Sequence, residues 1–319
     1  MATVMTNAPV AERRGWRRVF GVLTASSGLQ RATLVFGLVL IALFIVVAVF
    51  APWIAPYGYS QNSSGGAVVA FVRQEAPSGA HWFGTSVRGE DVLSRVIFGA
   101  RTALEVIALS LFASAIVGVV LGLVSGYIGR WIDRILVVFM DAIYAFPSLL
   151  LAIIVSIVVA GGQSSAFGGI LSASIAITVV FIPQYFRVVR NETVAVKQEP
   201  YVDAARVTGA STARILFRHI FANVTRSLPV IVTLNGSEAI LTLAGLGFLG
   251  FGIEPTSAAE WGYDLNKALP DISNDIWWTS IYPGTAIVLV VLGMTLVGES
   301  LDESLNPLLR TRRRPGAEA

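Results

Sequence analysis

From Ala142 to Phe186 the chain runs forty-five residues without a single charged side chain. A helix crosses the hydrocarbon core of a bilayer in about 20 residues, so this run is too long for one crossing and matches two. The stretch GGQSSAFGG, Gly161–Gly169, divides it by turn chemistry. Of all 319 residues 55% are apolar and 13% charged, with a mean hydropathy of +0.71, whereas soluble chains carry about 25% charged residues. The sequence therefore describes an all-α integral membrane protein.

Six spans follow from the remaining apolar runs. Leu34–Ile54 holds twenty-one residues without charge, longer than the roughly 7–15 residue core of a cleavable signal, and reads as an uncleaved first span. A second runs from about Thr102 to Ile128, with Glu105 near its outer end and Gly118, Gly122 and Gly126 at four-residue spacing on one face, where another helix can approach closely. The third starts near Trp131, with Asp133, Arg134 and Asp141 at its cytoplasmic end; the fourth ends near Phe186. Leu228–Gly252 is the fifth and contains Glu238; Trp277–Gly298 is the sixth, entered through the interfacial aromatics Trp277, Trp278 and Tyr282. The chain thus divides into a tail, 1–33; a first transmembrane helix, 34–54; an external loop, 55–101, ending in one short amphipathic helix; a five-helix core, 102–301, interrupted by a polar segment at 187–227; and a second tail, 302–319.

Charge sets the orientation. With the N-terminus inside, 18 of the 23 Lys and Arg fall on inner segments and 5 on outer ones, a bias that places both termini and the segment Arg187–Arg226 in the cytoplasm. The basic sequence pI of about 9.4 arises from residues clustered at the ends of apolar runs, which argues for lipid headgroups and against nucleic acid. There is no cysteine, and the two histidines, His81 and His219, are far apart in sequence; neither disulfide, thiolate chemistry nor a metal site is expected.

The cytoplasmic segment is the one long charged insert between spans. Its pattern predicts helices over Val194–Thr208 and Ser211–Ala222, joined at Gly209, a residue that accepts the turn conformation a break requires. Ala204, Ala205 and Ala210 keep the surface around the turn thin, as suits a helix that sits in the groove of another protein. An amphipathic connector lying on the membrane explains the same pattern.

These residues resemble a known family. Asp203, Ala204, Ala205 and Gly209 match the EAA-three-residues-G motif of the permeases of ABC importers, with Asp in the leading acidic position, and RILFRHIFANV, Arg214–Val224, resembles the continuation in their dipeptide/oligopeptide branch, with Ala222 where proline is common. HWFGTSVRGEDVLSRVIFGART, His81–Thr102, is similar to the family's HxxGTDxxGRDVLSRxxxGAR, departing at Ser86 and Glu90. LGFLGFGIEP, Leu246–Pro255, with Trp261 and Gly262, is similar to LSFLGLGxxPP and its following WG; GESLDESLNPLL, Gly298–Leu309, resembles the family's ending.

The resemblance implies a type I importer permease fold with a coupling helix between spans four and five, formed by Tyr201, Asp203, Ala204, Ala205, Gly209 and Ala210. It implies a bacterial inner-membrane complex of a second, homologous permease, two ATPase subunits or one fused ATPase chain, and an extracytoplasmic binding protein. The chain itself lacks G-x-x-x-x-G-K-[ST], so ATP and Mg²⁺ belong to the partners, and the subunit is a non-catalytic part of the pump. Peptides are the leading substrate class; nickel, glutathione and haem use similar permeases. Asp141 and Tyr144, before Phe146 and Pro147, resemble the family's D-x-x-x-A-F-P and, with Glu238, are candidates for the substrate pathway. An intramembrane carboxylate such as Glu238 is costly unless it faces water, a partner or the bundle interior; it either meets a peptide's amino group or packs as a neutral, hydrogen-bonded carboxyl. The family places an acid where Leu243 stands, so its role is not carried to Glu238. Arg88, Arg95 and Arg101 are candidates for receiving the binding protein or headgroups. The alternative from another class is a self-sufficient proton-coupled transporter titrating Glu238 and Asp141, which calls for an internal repeat that the sequence does not show.

Overall fold

The computed structural model describes residues 28–64, 69–160, 166–225, 227–254 and 257–305. Most of both tails, the turn residues 161–165 and Arg226 lie outside the described residues. Apart from an antiparallel pair of two-residue strands, β1 (Ser63–Ser64) and β2 (Val69–Ala70), the secondary structure is helical. Five helices are long and apolar enough to cross a membrane, and a bent pair brings the number to six.

The first crossing helix, α1, spans Gly28–Ile54. Val35, Phe36, Val39, Leu43 and Val46 stay exposed on its outer side, as a lipid-facing surface requires. It crosses the last helix where Gly37 and Gly293 face each other; a Cβ on Gly37 would lie 2.9 Å from the Gly293 carbonyl oxygen.

Helix α2, Val92–Ile128, has 37 residues and is about 56 Å long at 1.5 Å per residue, nearly twice the hydrocarbon core. The expected separate amphipathic helix before Thr102 is therefore the first three turns of the second span itself. The helix starts where Asp91 caps it, its Oδ2 accepting from the Ser94 N–H at 2.8 Å. Gly99 does not break it: a Cβ there would lie 2.3 Å from Trp261 Nε1, so the position serves close packing instead.

The third span departs most from expectation. It consists of two helices, α3 (Arg130–Tyr144) and α4 (Ser148–Ala160), bent by 97°. Pro147 has no N–H to donate and disfavours helical backbone at Phe146, which ends α3. At 13 residues α4 alone reaches about 20 Å.

Helix α5, Ala166–Val196, packs along α2, and the expected glycine row makes the contact. A Cβ on Gly118 would lie 2.5 Å from Tyr185 Cβ, on Gly122 2.9 Å from the Phe186 carbonyl oxygen, and on Gly126 2.7 Å from Thr193 Cβ. Because α5 continues to Val196, the first ten residues of the polar segment, Arg187–Val196, extend the fourth span. The predicted helix Val194–Thr208 is split at Lys197–Glu199, since Pro200 starts a new helix, α6 (Pro200–Val207), with Glu199 in extended conformation at its N-cap. Beyond Gly209 the second predicted helix is present as α7 (Thr212–Arg214), a π-helix (Ile215–Ile220) and α8 (Phe221–Val224).

The fifth span is α9, Leu228–Phe248. The outer connection, expected as a loop, contains helix α10, Trp261–Ile272. The last helix, α11 (Trp278–Leu305), carries Gly298–Leu305 as a helical extension. A core of Phe44, Ala103, Val106, Ile177, Phe181, Tyr185, Ile240 and Trp261 joins α1, α2, α5, α9 and α10.

Replacing Gly122 by Leu should force α2 and α5 apart and destabilise the protein by about 1–3 kcal/mol or more, the usual cost of overpacking. Thermal unfolding in detergent checks this, with Gly79→Ala, whose added Cβ meets nothing within 4 Å, as the variant that should leave the midpoint unchanged.

Candidate functional site

The polar helix and turn after α5 is the candidate site. Val202 on α6 is fully buried and packs with Val119, Val189, Ile215, Ile220 and Val224. This anchor seats α6 against α2, α5 and the π-helix. Ala205 and Ala210 are half-buried against the same cluster, while Asp203, Ala204 and Gly209 are exposed. The small residues thus divide between two sides: Ala205 and Ala210 let α6 lie close to the bundle, and Ala204 remains on the outside.

The turn is a Schellman motif. The Gly209 N–H donates to the Arg206 carbonyl and the Ala210 N–H to the Ala205 carbonyl, both at 3.0 Å. Gly209 has φ of +81° and open space around it; only the backbone conformation demands glycine there. Asp203 Oδ1 accepts from Arg206 Nη1 at 3.0 Å on the exposed surface. The Tyr201 hydroxyl accepts from Asn223 Nδ2 at 2.9 Å, and that amide also donates to the His219 carbonyl at 2.7 Å. Tyr201 thereby ties α6 to the returning segment. Beside this surface two apolar side chains are left uncovered by the chain, Val207 at 89% and Phe217 at 70% exposure. Sequence reasoning missed both, although an apolar residue on a polar insert was a readable signal.

The proposed pathway residues do not form one cluster. Asp141 and Tyr144 meet through Arg187: its Nη2 lies 2.8 Å from Asp141 Oδ1 and its guanidinium carbon 4.0 Å above the Tyr144 ring. Glu238 is half-buried on α9, and among the described residues it shares no hydrogen bond or ion pair with either.

On the outer side Arg95 is no receptor for a partner, because it is buried. Its Nε donates to Asp264 Oδ1 at 2.8 Å and its Nη1 to the Tyr59 carbonyl at 2.9 Å, with Glu90 Oε1 3.4 Å away. Its place in the first turn of α2 points it at α10 rather than at solvent. Arg88 pairs with Glu90 at 3.5 Å and Arg101 with Glu105 at 3.0 Å, one turn away. Further contacts fix the external segment: His81 Nδ1 to Asp91 at 2.9 Å, Gln74 Nε2 to Asp271 at 2.5 Å, Trp278 Nε1 to the Thr85 carbonyl and Tyr59 to the Ser257 carbonyl. Arg88, Glu90, Arg95, Asp264, Lys267 and Asp271 line a small cleft. Among the described residues no group of three or more His, Asp or Glu is placed to hold a metal ion.

Glu260 closes this outer unit. Its carboxylate caps α10, accepting from the Gly262 and Tyr263 N–H groups at 2.7 Å each. Burial nonetheless pushes its pKa up to about 8 against those donors. Burial also raises Asp264, opposed by Arg95. A raised carboxyl pKa means that the folded protein holds the proton more tightly than the unfolded chain. The stability this supplies is complete below the ordinary value of 4.5 and is lost as pH rises through about 8.

Comparison with known proteins agrees with the architecture. A helical bundle of five or six candidate crossings, with a polar helix-turn between the fourth and fifth, describes a multi-pass membrane protein. The model of the binding-protein-dependent transport system inner membrane component matches residues 118–311, and that of the N-terminal TM domain of oligopeptide transport permease C matches residues 30–73. The chain is 36% identical over 296 residues to the dipeptide transport system permease protein DppC of Alkalihalophilus pseudofirmus, covering 93% of this chain and 91% of that one. It is 34% identical to the glutathione transport system permease protein GsiD of Pectobacterium atrosepticum, over 85% of both chains, and 36% identical to that of Escherichia coli, over 85% and 84%. The chain belongs to the permease C family of binding-protein-dependent ABC importers. It is a multi-pass inner-membrane subunit, and this membership replaces the proton-coupled alternative.

The midpoint of thermal unfolding should fall as pH rises from about 5 to about 8, and Glu260→Gln should flatten that slope, a loss on the order of a few kcal/mol across the window. Melting curves in detergent at stepped pH provide the check; an equally steep slope in the variant would contradict the assignment.

Proposed function

We propose that this chain is one of two different permease subunits of an importer for di- or oligopeptides, driven by separate ATPases and fed by an extracytoplasmic binding protein. The observation that carries the reading is the helix-turn at Pro200–Ala210, anchored by Val202 yet presenting Ala204, Val207 and the Asp203–Arg206 pair to solvent. Tyr201, Asp203, Ala204, Ala205, Gly209 and Ala210 form the coupling element within 187–227. The ATPase pair binds ATP and Mg²⁺, and its closure displaces this element. Through the continuous path from α6 to α5 the displacement reaches the spans, which exchange an inward-open for an outward-open arrangement. Asp141, Tyr144 and Glu238 line the path of the peptide. Both termini, with the tails 1–33 and 302–319, lie in the cytoplasm, supported by the distribution of Lys and Arg.

A glutathione carrier is the second reading, favoured by identities of 34–36% to glutathione permeases. Glutathione is itself a tripeptide, so both readings ask the path to accept a short zwitterionic chain.

The test is purification from native membranes followed by ATPase and uptake assays with dialanine and glutathione. A second permease and ATPase subunits should accompany the wild type. Ala204→Arg, on the exposed side, should cut ATP-driven uptake at least tenfold while the chain still folds, and Gly209→Trp with Ala205→Arg should lose the ATPases altogether. A chain that purifies alone and moves substrate without ATP would overturn the proposal.

A further inference from the structure

Helix α3 is held to the bundle in an unusual way. Of its fifteen residues only Met140 is buried, and it meets α4 at a bend of 97°. Packing alone therefore fixes it weakly. Two Asp–Arg pairs to α5 fix it instead, and they differ in kind.

At Asp133 both carboxylate oxygens are occupied. Arg190 Nε lies 2.5 Å from Oδ1 and Nη2 2.7 Å from Oδ2, and the Ser125 hydroxyl donates to Oδ1 at 2.6 Å. Three helices, α2, α3 and α5, meet in this bidentate junction, whose side chains are 27% and 21% exposed. It adjoins Gly126, where an added Cβ would lie 2.7 Å from Thr193 Cβ and 2.8 Å from the Arg190 carbonyl oxygen. Such paired, charge-assisted geometry is the strong form of the interaction.

At Asp141, two turns further on, a single Arg187 nitrogen makes the contact, with side chains 41% and 53% exposed. A lone exposed pair shifts an equilibrium by a factor on the order of five or less. The same guanidinium covers the Tyr144 ring, immediately before the bend at Pro147. Arg187 and Arg190 are one turn apart on α5, which leads directly into α6.

We propose that Ser125, Asp133 and Arg190 form a pivot that stays closed through the transport cycle, and that Asp141–Arg187 is a latch that opens in it. Arg187 is then a positioning residue: when α5 moves with the coupling element, the pivot carries α3 along, and release of Arg187 frees Asp141 and Tyr144 to turn about it at the bend. This inference rests on the reading of Asp141 and Tyr144 as pathway residues.

The absence of cysteine makes a direct test possible. Two double variants, D141C/R187C and D133C/R190C, are bridged in the purified complex with a short, reducible bis-methanethiosulfonate. Bridging 141 to 187 should lower ATP hydrolysis by the complex at least tenfold, with recovery on reduction, whereas bridging 133 to 190 should leave hydrolysis within about twofold of the unbridged variant. Full hydrolysis with 141 bridged to 187, or an equal arrest with 133 bridged to 190, overturns the proposal. If the unmodified complex shows no ATP-dependent uptake, the transport reading has failed instead. Spin labels on the same pairs in the full chain in nanodiscs then decide the latch separately. Two distance populations at 141/187 against one at 133/190 support it; one narrow population at both sinks it.

Discussion

The contact between α2 and α5 is the constraint on which the rest depends. Three glycines at four-residue spacing bring the backbone of one helix onto the side chains of the other, with added Cβ atoms calculated to fall 2.5–2.9 Å from Tyr185, Phe186 and Thr193. Within a bilayer, burial of apolar surface does not drive helices together, so close approach and the van der Waals contact it permits do that work. This contact sets the line of α5, and α5 runs unbroken to Val196, so it also sets where α6 emerges. The helix-turn after α5 is therefore positioned by a seam between two apolar, membrane-length helices.

The two ends of the bundle use charge differently. At one end Arg95, Glu90 and Glu260 are buried and Asp264 is half-buried, and they join the first turn of α2 to α10 and to the segment before it. Removing one partner from such a group leaves an uncompensated charge, which makes the unit cooperative and stiff. At the other end Asp141, Asp203, Arg187 and Arg206 form single exposed pairs that cost little to open.

Much of this was legible from residue order alone, and the omissions have a common cause. Spans read well because twenty apolar residues in a row admit few alternatives in water, and the glycine row could be assigned to one face because helix geometry is regular. The boundaries failed where a local signal had to be weighed against packing. The polar stretch before Thr102 suggested a separate short helix, whereas α2 runs unbroken from Val92 with Trp261 against Gly99. Arg95 looked like a surface charge until Asp264, 169 residues away, came to lie against it. The third span looked continuous because a run of apolar residues does not reveal its direction, and Pro147 announced a kink without its angle.

The sequence by itself determined the class of protein and its apolar crossings, and it is the source of the proposed orientation and coupling element, since hydropathy, charge bias and the Asp203–Gly209 motif are properties of neighbouring residues. Only the tertiary structure decided which of those residues face outward: Ala204 exposed but Ala205 and Ala210 half-buried, Val207 and Phe217 uncovered, Asp141 joined to Arg187 and Glu238 standing apart. Those distinctions depend on residues far apart in the chain meeting in space, and no local pattern encodes them.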